Sequence, residues 1–325
     1  VKPTAALRWP NRPDTPHGAK SVTYWVPHPQ GDFAVIVGHY ENGRKHPLEV
    51  FVASNSAPRG LAAIAKSLSV DMRTGDPEWL AMKLDSLRNT HEDGDAFQMA
   101  DPATGALITV PSLVSGFAML VQHALNEIGA LAPTGESPMM QSLFSRKEPK
   151  TGPSGAIGWH VDIRNDATGD DFLLTTKDVV LEDSTVRPYS IWLAGKFPKA
   201  LNGLAKMLSI DMRVSDPAWI QMKLRKLLKF GEQRGDFLAF VPGGVGQQNY
   251  PSTVGYIAAV LLERYKALGL ADGGDLLVQP KAAGAATSGH TEGTGMICPS
   301  CHTANLHKVD GCKTCSHCNY VGECG

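Results

Sequence analysis

One block of sequence occurs twice in this chain. Residues 61–84 read LAAIAKSLSVDMRTGDPEWLAMKL, and residues 201–224 read LNGLAKMLSIDMRVSDPAWIQMKL, at an offset of 140 positions. Pro58 recurs at the same offset as Pro198, and Pro111-Ser112 recurs as Pro251-Ser252. Matches at a single offset predict two copies of one folding unit, which we place at 20–131 and 155–270.

Each copy begins with segments typical of β-strands, rich in aromatic and β-branched residues. In the first copy, Asn42-Gly43 separates two of these segments and predicts a hairpin turn, because glycine accepts the positive φ that the turn needs. The predicted strands are 22–26, 33–40 and 48–53 in the first copy, and 157–163, 172–180 and 189–194 in the second.

Helical segments follow the strands in both copies. Asp76-Pro77 and Asp216-Pro217 are typical of a cap residue followed by the first helical position, and Ser112 and Ser252 are candidate caps of a third helix. Each copy is therefore predicted to be a three-stranded meander with three helices, so the fold class is α+β.

Composition marks the remaining boundaries. Residues after 270 are mostly Gly, Ala, Ser and Thr, which bury too little apolar surface to form a core. The predicted regions outside the two copies are an N-terminal extension (1–19), a linker (132–154), a flexible linker (271–295) and a cysteine-rich tail (296–325).

The overall composition excludes several classes of protein. A net charge of −1 favours neither nucleic acid nor an anionic membrane as a partner. Apolar runs are too short for a transmembrane helix, and the first residues lack the apolar core of a signal peptide. Together with the Cys-x2-Cys pattern, this predicts a cytoplasmic protein that binds metal rather than one held by disulfides.

All six cysteines lie in the tail, and none lies in the 297 residues before Cys298. The spacing of Cys298-x2-Cys301 and Cys315-x2-Cys318 predicts a four-thiolate zinc ribbon, because each pair offers two sulfurs to one tetrahedral ion. Cys312-x2-Cys315 is an alternative second pair. A purely structural zinc site is the simplest interpretation of this tail.

Two cysteines, Cys312 and Cys324, are left outside this ligand set. One interpretation is that they are free thiols without a role. The other is a redox-active pair, because thiol–disulfide exchange needs an accessible thiol and a partner, and Cys324 is the penultimate residue of the sequence.

The repeated block offers no comparable catalytic group. We interpret Arg73 with Asp76, and their counterparts Arg213 and Asp216, as ion pairs near helix caps. Trp79 and Trp219 are predicted to be core residues. A basic helical face that acidic partners could use is predicted from Lys223, Arg225, Lys226 and Lys229.

The tail sequence GCKTCSHCNYVGECG, behind a Cys-x2-Cys and a glycine-rich linker, resembles the C-terminal end of adenosylcobalamin-dependent (class II) ribonucleotide reductases. The segment TYWVPHPQGDFAVIVGHYENGRKHPLEVFVASNSAPRGLAAIAKSLS and the earlier LRWPNRPD resemble the region that precedes that tail. Both copies lack the family's Thr-Ser-Cys-Pro-Asp string. The resemblance covers nearly the whole chain.

The resemblance implies a role in reducing ribonucleotides to deoxyribonucleotides for DNA synthesis. It implies that Cys312 and Cys324 re-reduce the active-site disulfide of a separate catalytic barrel chain, which would carry the adenosylcobalamin and the radical cysteine. A thioredoxin-like protein would reduce the pair in turn. The chain would then be the C-terminal region or split small subunit of the reductase, inactive alone.

A different class of function stays open. The duplicated unit is then a non-enzymatic binding module, and the zinc ribbon is structural. The tail itself argues against nucleic acid, because Lys308 and Lys313 are offset by Asp310 and Glu323 and no arginine is present.

Overall fold

The structure is a computed structural model. It describes residues 7, 9, 12–15, 18–41 and 43–270, together with the backbone of 306–309, 312–315 and 321–324. The chain divides into two units, Val1–Gly274 and Asp275–Gly325. The larger unit contains both occurrences of the repeated block, and the smaller unit contains the six cysteines.

The first half of the larger unit begins with an antiparallel sheet of three strands in the order β1-β2-β3. The strands are β1 (Lys20–Val26), β2 (Phe33–Glu41) and β3 (Lys45–Ala53). Gly43 lies in the β2–β3 turn with φ of 67°, a left-handed conformation that glycine adopts at little steric cost. The predicted meander is confirmed.

Three helices and a hairpin follow. They are α1 (Leu61–Met72), α2 (Pro77–Arg88), the hairpin strands β4 (Phe97–Ala100) and β5 (Leu107–Val110), and α3 (Leu113–Glu127). The sequence did not predict the hairpin, because its strands of four residues are too short to show a clear alternating pattern.

A short helix, α4 (Pro138–Gln141), lies between the halves. The second half then has the same order of elements as the first, with a sheet in the order β6-β7-β8. Its elements are β6 (Ile157–Asn165), β7 (Asp170–Val180), β8 (Val186–Lys196), α5 (Ala200–Met212), α6 (Ala218–Leu228), β9 (Phe237–Phe240), β10 (Gln247–Tyr250) and α7 (Thr253–Ala267).

Three predicted helix caps are confirmed. The side chains of Asp76, Ser112 and Ser252 each accept a hydrogen bond from the backbone N–H three residues further on. Asp216 differs from its counterpart, because α6 begins one position later and Asp216 accepts from the N–H of Ala218.

Helices and sheets pack in the same way in both halves, with α1 against β3 and α5 against β8. The halves meet where α1 and α2 pack on α5 and where α1 packs on α6. The buried cluster at this junction draws on both halves and on the segment between them: Val70, Trp79, Met139, Ile210, Val214 and Trp219.

The segment predicted as a linker, 132–154, is part of this packing. Met139 is fully buried, and Ser137 donates hydrogen bonds to both oxygens of Asp76 at 2.8 Å. The N–H of Phe144 donates to the carbonyl of Arg213 at 3.0 Å. The segment therefore forms hydrogen bonds with both halves. Burial of its apolar methionines stabilises the same packing, because it removes apolar surface from water.

The smaller unit contains an antiparallel sheet in the order β11-β12-β13, with β11 (Leu306–Val309), β12 (Cys312–Cys315) and β13 (Val321–Cys324). Within the described part of the chain, no helix is both long and apolar enough to cross a membrane.

Candidate functional site

The two cysteines left outside the predicted zinc ligands are brought together by the small sheet. Cys312 begins β12 and Cys324 ends β13, and the two are opposite each other in the antiparallel register. Opposed residues of such a pair have Cα atoms roughly 4.5–5.5 Å apart. A disulfide needs a Cα separation of about 4.4–6.8 Å, so this backbone suits one.

The predicted zinc ligands are placed only in part. Cys315 ends β12, opposite Leu306 of β11, and the β12–β13 register shifts between Cys312 and Thr314. Cys298, Cys301 and Cys318 lie outside the described residues, so the zinc prediction is not tested there. Among the residues that are described, no group of three or more His, Cys, Asp or Glu side chains could hold a metal ion.

The larger unit contains a charged cluster that the sequence did not reveal. Asp71 lies in the last turn of α1 and Lys83 lies on α2, while Asp211 and Lys223 occupy the corresponding positions of α5 and α6. All four side chains have an exposure of 0%. We call these four residues the buried quartet.

Ion pairs join the halves through this quartet. Lys83 Nζ lies 2.6 Å from Asp211 Oδ1 and 3.6 Å from Asp71 Oδ2. Lys223 Nζ lies 2.6 Å from Asp71 Oδ2 and 2.9 Å from Asp211 Oδ2. The shortest contact of each lysine thus crosses to the other half, and two positive charges balance two negative ones.

Two tryptophans enclose the quartet. The indole N–H of Trp79 donates to Asp71 Oδ1 at 2.8 Å, and that of Trp219 donates to Asp211 Oδ1 at 2.7 Å. Their rings meet edge to face, with centroids 6.2 Å apart. Lys83 Nζ lies 4.6 Å from the ring centroid of Trp79, within the range of a cation–π contact. Both tryptophans are core residues, as predicted.

Burial sets the acid–base behaviour of the quartet. It lowers the pKa of Lys83 to about 8, although the charges of Asp211 and Asp71 act in the opposite direction. Burial also raises the pKa of Asp71 despite its two lysine neighbours. In Asp211 burial acts upward too, but Lys223 and Lys83 outweigh it and hold the pKa below its usual range.

The quartet is sealed from solvent, so it does not act on a substrate directly. Its chemistry is to fix the two halves against each other, because moving them apart would leave charges in an apolar core. The quartet could have been predicted from one sequence signal: an aspartate and a lysine recur in both blocks at the same spacing from the core tryptophan.

Two interpretations of the repeated block are wrong. Lys223 does not belong to an exposed basic face, because it is buried in the quartet. Arg73 and Asp76 form no ion pair within the described residues. Asp76 is occupied as a helix cap and as the acceptor for Ser137, while the acidic group whose charge acts on Arg73 is Glu49.

Comparisons of this chain with protein-family models, with curated proteins and with solved structures find no significant match. The chain's own chemistry and the resemblance in its sequence are what indicate a function.

Proposed function

We propose that this chain is the accessory, electron-delivery portion of an adenosylcobalamin-dependent ribonucleotide reductase and acts on a separate catalytic chain. One observation carries the proposal: Cys312 and Cys324 occupy opposed positions on neighbouring strands. Residues opposed in this way have typical Cα separations within the range that a disulfide spans. Reversible dithiol–disulfide exchange is the chemistry that re-reduction of an active-site disulfide requires.

The proposed cycle begins when the Cys324 thiolate attacks a disulfide of the catalytic chain. A mixed disulfide forms and one catalytic thiolate leaves. The Cys312 thiolate then attacks the Cys324 sulfur, which closes the Cys312–Cys324 disulfide and releases the second catalytic thiolate. Two electrons pass to the catalytic chain, whose two thiolates take up protons. A thioredoxin-like dithiol restores the pair by the same exchange and is itself oxidised.

Zinc has a supporting role in this proposal. Cys298, Cys301, Cys315 and Cys318 form a four-thiolate donor set, which is the chemistry of a closed structural zinc site. Bound zinc would hold these four sulfurs as ligands and so keep them out of disulfide exchange. Cys315 ends the strand that Cys312 begins, so its coordination would also steady the redox pair.

In this proposal the larger unit binds the catalytic chain and takes no part in the disulfide exchange. Residues 1–297 contain no cysteine, so we assign the radical cysteine and the adenosylcobalamin to the catalytic chain. We also infer that the two halves are copies of one ancestral unit, which the common offset of their sequences and the common order of their elements support. A reducing cytoplasm suits a free dithiol.

The test is Cys324→Ser in a complex reconstituted with the catalytic chain and a thioredoxin system. We expect turnover driven by thioredoxin to fail, while a single turnover by the prereduced complex survives. Thr314→Ser, on the same sheet, serves as the control and should retain full turnover. Undiminished thioredoxin-driven turnover by the Cys324 variant would reject the shuttle.

A binding module without redox chemistry is the second candidate, and one observation favours it. Trp25 and Phe51 are 66% and 51% exposed on the sheet of the first half, and exposed apolar side chains that form a contiguous patch mark interaction surfaces. Thiol titration of the zinc-loaded chain separates the candidates. Two reactive thiols support the shuttle, whereas none supports the module.

A further inference from the structure

Three cationic residues lie where α1 packs against α6, and the charges of two of them act on the third. Lys66 and Arg73 lie on or just after α1, in the first half, and Lys226 lies on α6, in the second. All three side chains are half-buried. We call them the basic triad.

The basic triad has no counter-charge of its own. Among the described residues, none of the three forms an ion pair or a hydrogen bond with a carboxylate, and the Nε of Arg73 is buried without a partner. The carboxylate whose charge acts on Arg73, Glu49, is already held by Arg12 through two bonds of 2.7 Å. Lys66 Nζ instead lies 5.8 Å from the ring centroid of Phe230.

The corresponding positions in the second half are partnered. Lys206, the counterpart of Lys66, donates to the carbonyl of Asn89 at 3.3 Å and to the hydroxyl of Thr90 at 3.1 Å. Arg213, the counterpart of Arg73, donates to the carbonyl of Ser209 at 3.2 Å. The unpaired cluster therefore belongs to one side of a repeated structure and does not follow from the repeat itself.

Electrostatics makes the basic triad unfavourable when it is empty. Burial lowers the pKa of Lys66. Burial, followed by the charges of Arg73 and Lys66, lowers the pKa of Lys226. Partly desolvated like charges repel, so an unfilled cluster of this kind costs stability that a bound anion would return.

We propose that Lys66, Arg73 and Lys226 form a binding site for a phosphate-type oxyanion at the junction of α1 and α6. A single carboxylate would balance only one of three cations, whereas a phosphate group carries more charge on one centre. Arginine suits a phosphate through its planar fork of N–H donors, and lysines act as point charges beside it. Because the site spans both halves, its ligand would also stabilise their association.

The test is calorimetric titration of the full chain with inorganic phosphate, pyrophosphate and ATP, each without added metal. We expect saturable binding of at least one of them. Arg73→Gln should weaken it at least tenfold, and Lys226→Met provides a second variant. Arg44→Gln removes the same charge from the exposed β2–β3 turn and should leave binding unchanged.

The three probes also distinguish the source of the anion. Equal affinity for phosphate and ATP indicates a site for the phosphate group alone, and tighter binding of ATP or pyrophosphate indicates a larger phosphorylated ligand. Without ligand, Arg73→Gln should raise the melting temperature, because it removes an unpaired cation. Absence of saturable binding by all three probes, or equal weakening by Arg44→Gln, would overturn the proposal.

Discussion

Removing one lysine from the buried quartet should destabilise the larger unit severely. In the variant Lys223→Met, the side chain keeps its apolar length but loses the ammonium group that lies 2.6 Å from Asp71 and 2.9 Å from Asp211. Lys83 alone then faces two carboxylates. A net negative charge is left in a core from which water is excluded.

The size of the effect follows from the burial of the pair. Breaking a fully buried ion pair by removing one partner costs roughly 3–5 kcal/mol, because the remaining charge is neither solvated nor balanced. We expect the free energy of unfolding to fall by that amount in Lys223→Met. The control is Lys20→Met, which breaks a contact with Glu41 that is exposed to solvent and should leave stability nearly unchanged.

The measurement is urea unfolding followed by tryptophan fluorescence, with a reductant present to keep the tail cysteines as thiols. Trp79 and Trp219 lie against the quartet and report on this core directly. The midpoint should fall while the slope stays constant, since a constant slope shows that stability has changed and not the surface exposed on unfolding.

A double variant tests the reasoning more closely. Asp71→Asn combined with Lys223→Met removes one charge of each sign and leaves the Lys83–Asp211 pair at 2.6 Å. Its loss of stability should be smaller than the sum of the two single losses, by about 1–3 kcal/mol. Strict additivity, or a Lys223→Met variant as stable as wild type, would refute the view that the quartet acts as one electrostatic unit.

Three further predictions concern other parts of the larger unit. Asp76→Ala should cost roughly 1–3 kcal/mol in urea unfolding, because Asp76 caps α2 and also holds the inter-half segment, whereas Asp216→Ala should cost less because Asp216 makes fewer bonds. Met139→Ala should lower the free energy of unfolding by about 2–5 kcal/mol because it leaves a cavity, and Met140→Ala should lower it less because Met140 is only partly buried. Equal losses in the two variants would contradict the packing described. Burial lowers the pKa of His28, so the unfolded chain takes up the proton more readily and the free energy of unfolding should fall as the pH drops from about 7 to 5. His28→Gln should reduce this pH dependence in urea unfolding. An unchanged pH dependence would exclude His28 as its source.

Much of the secondary structure could be predicted because it depends on neighbouring residues. The strands of both sheets follow from β-branched and aromatic segments, and the caps at Asp76, Ser112 and Ser252 follow from short-range hydrogen bonds. The two hairpins escaped prediction because their strands are short. The segment around Met139 escaped it because its Gly- and Pro-rich surroundings are typical of a linker.

The sites were predictable to different degrees. The spacing of the cysteines in the sequence indicated a metal or redox site. The pairing of Cys312 with Cys324 could not be predicted, because it depends on the register between β12 and β13. The basic triad escaped prediction because its members come from both halves. The sequence places Lys226 on a basic helical face, and only the packing of α6 on α1 brings it within the electrostatic influence of Lys66 and Arg73.

The sequence alone determined the repeated block, most strands and capped helices, and the separation of a thiol-free body from a cysteine-rich tail. These features depend on residue type and on short spacings. Only the tertiary structure decided how the two occurrences meet, because Asp71 and Lys223 are far apart in the chain and their contact depends on the packing of four helices. The sequence does not determine the surroundings of a charged side chain. The fold determines whether it faces water, a partner charge or an unpaired neighbour of the same sign.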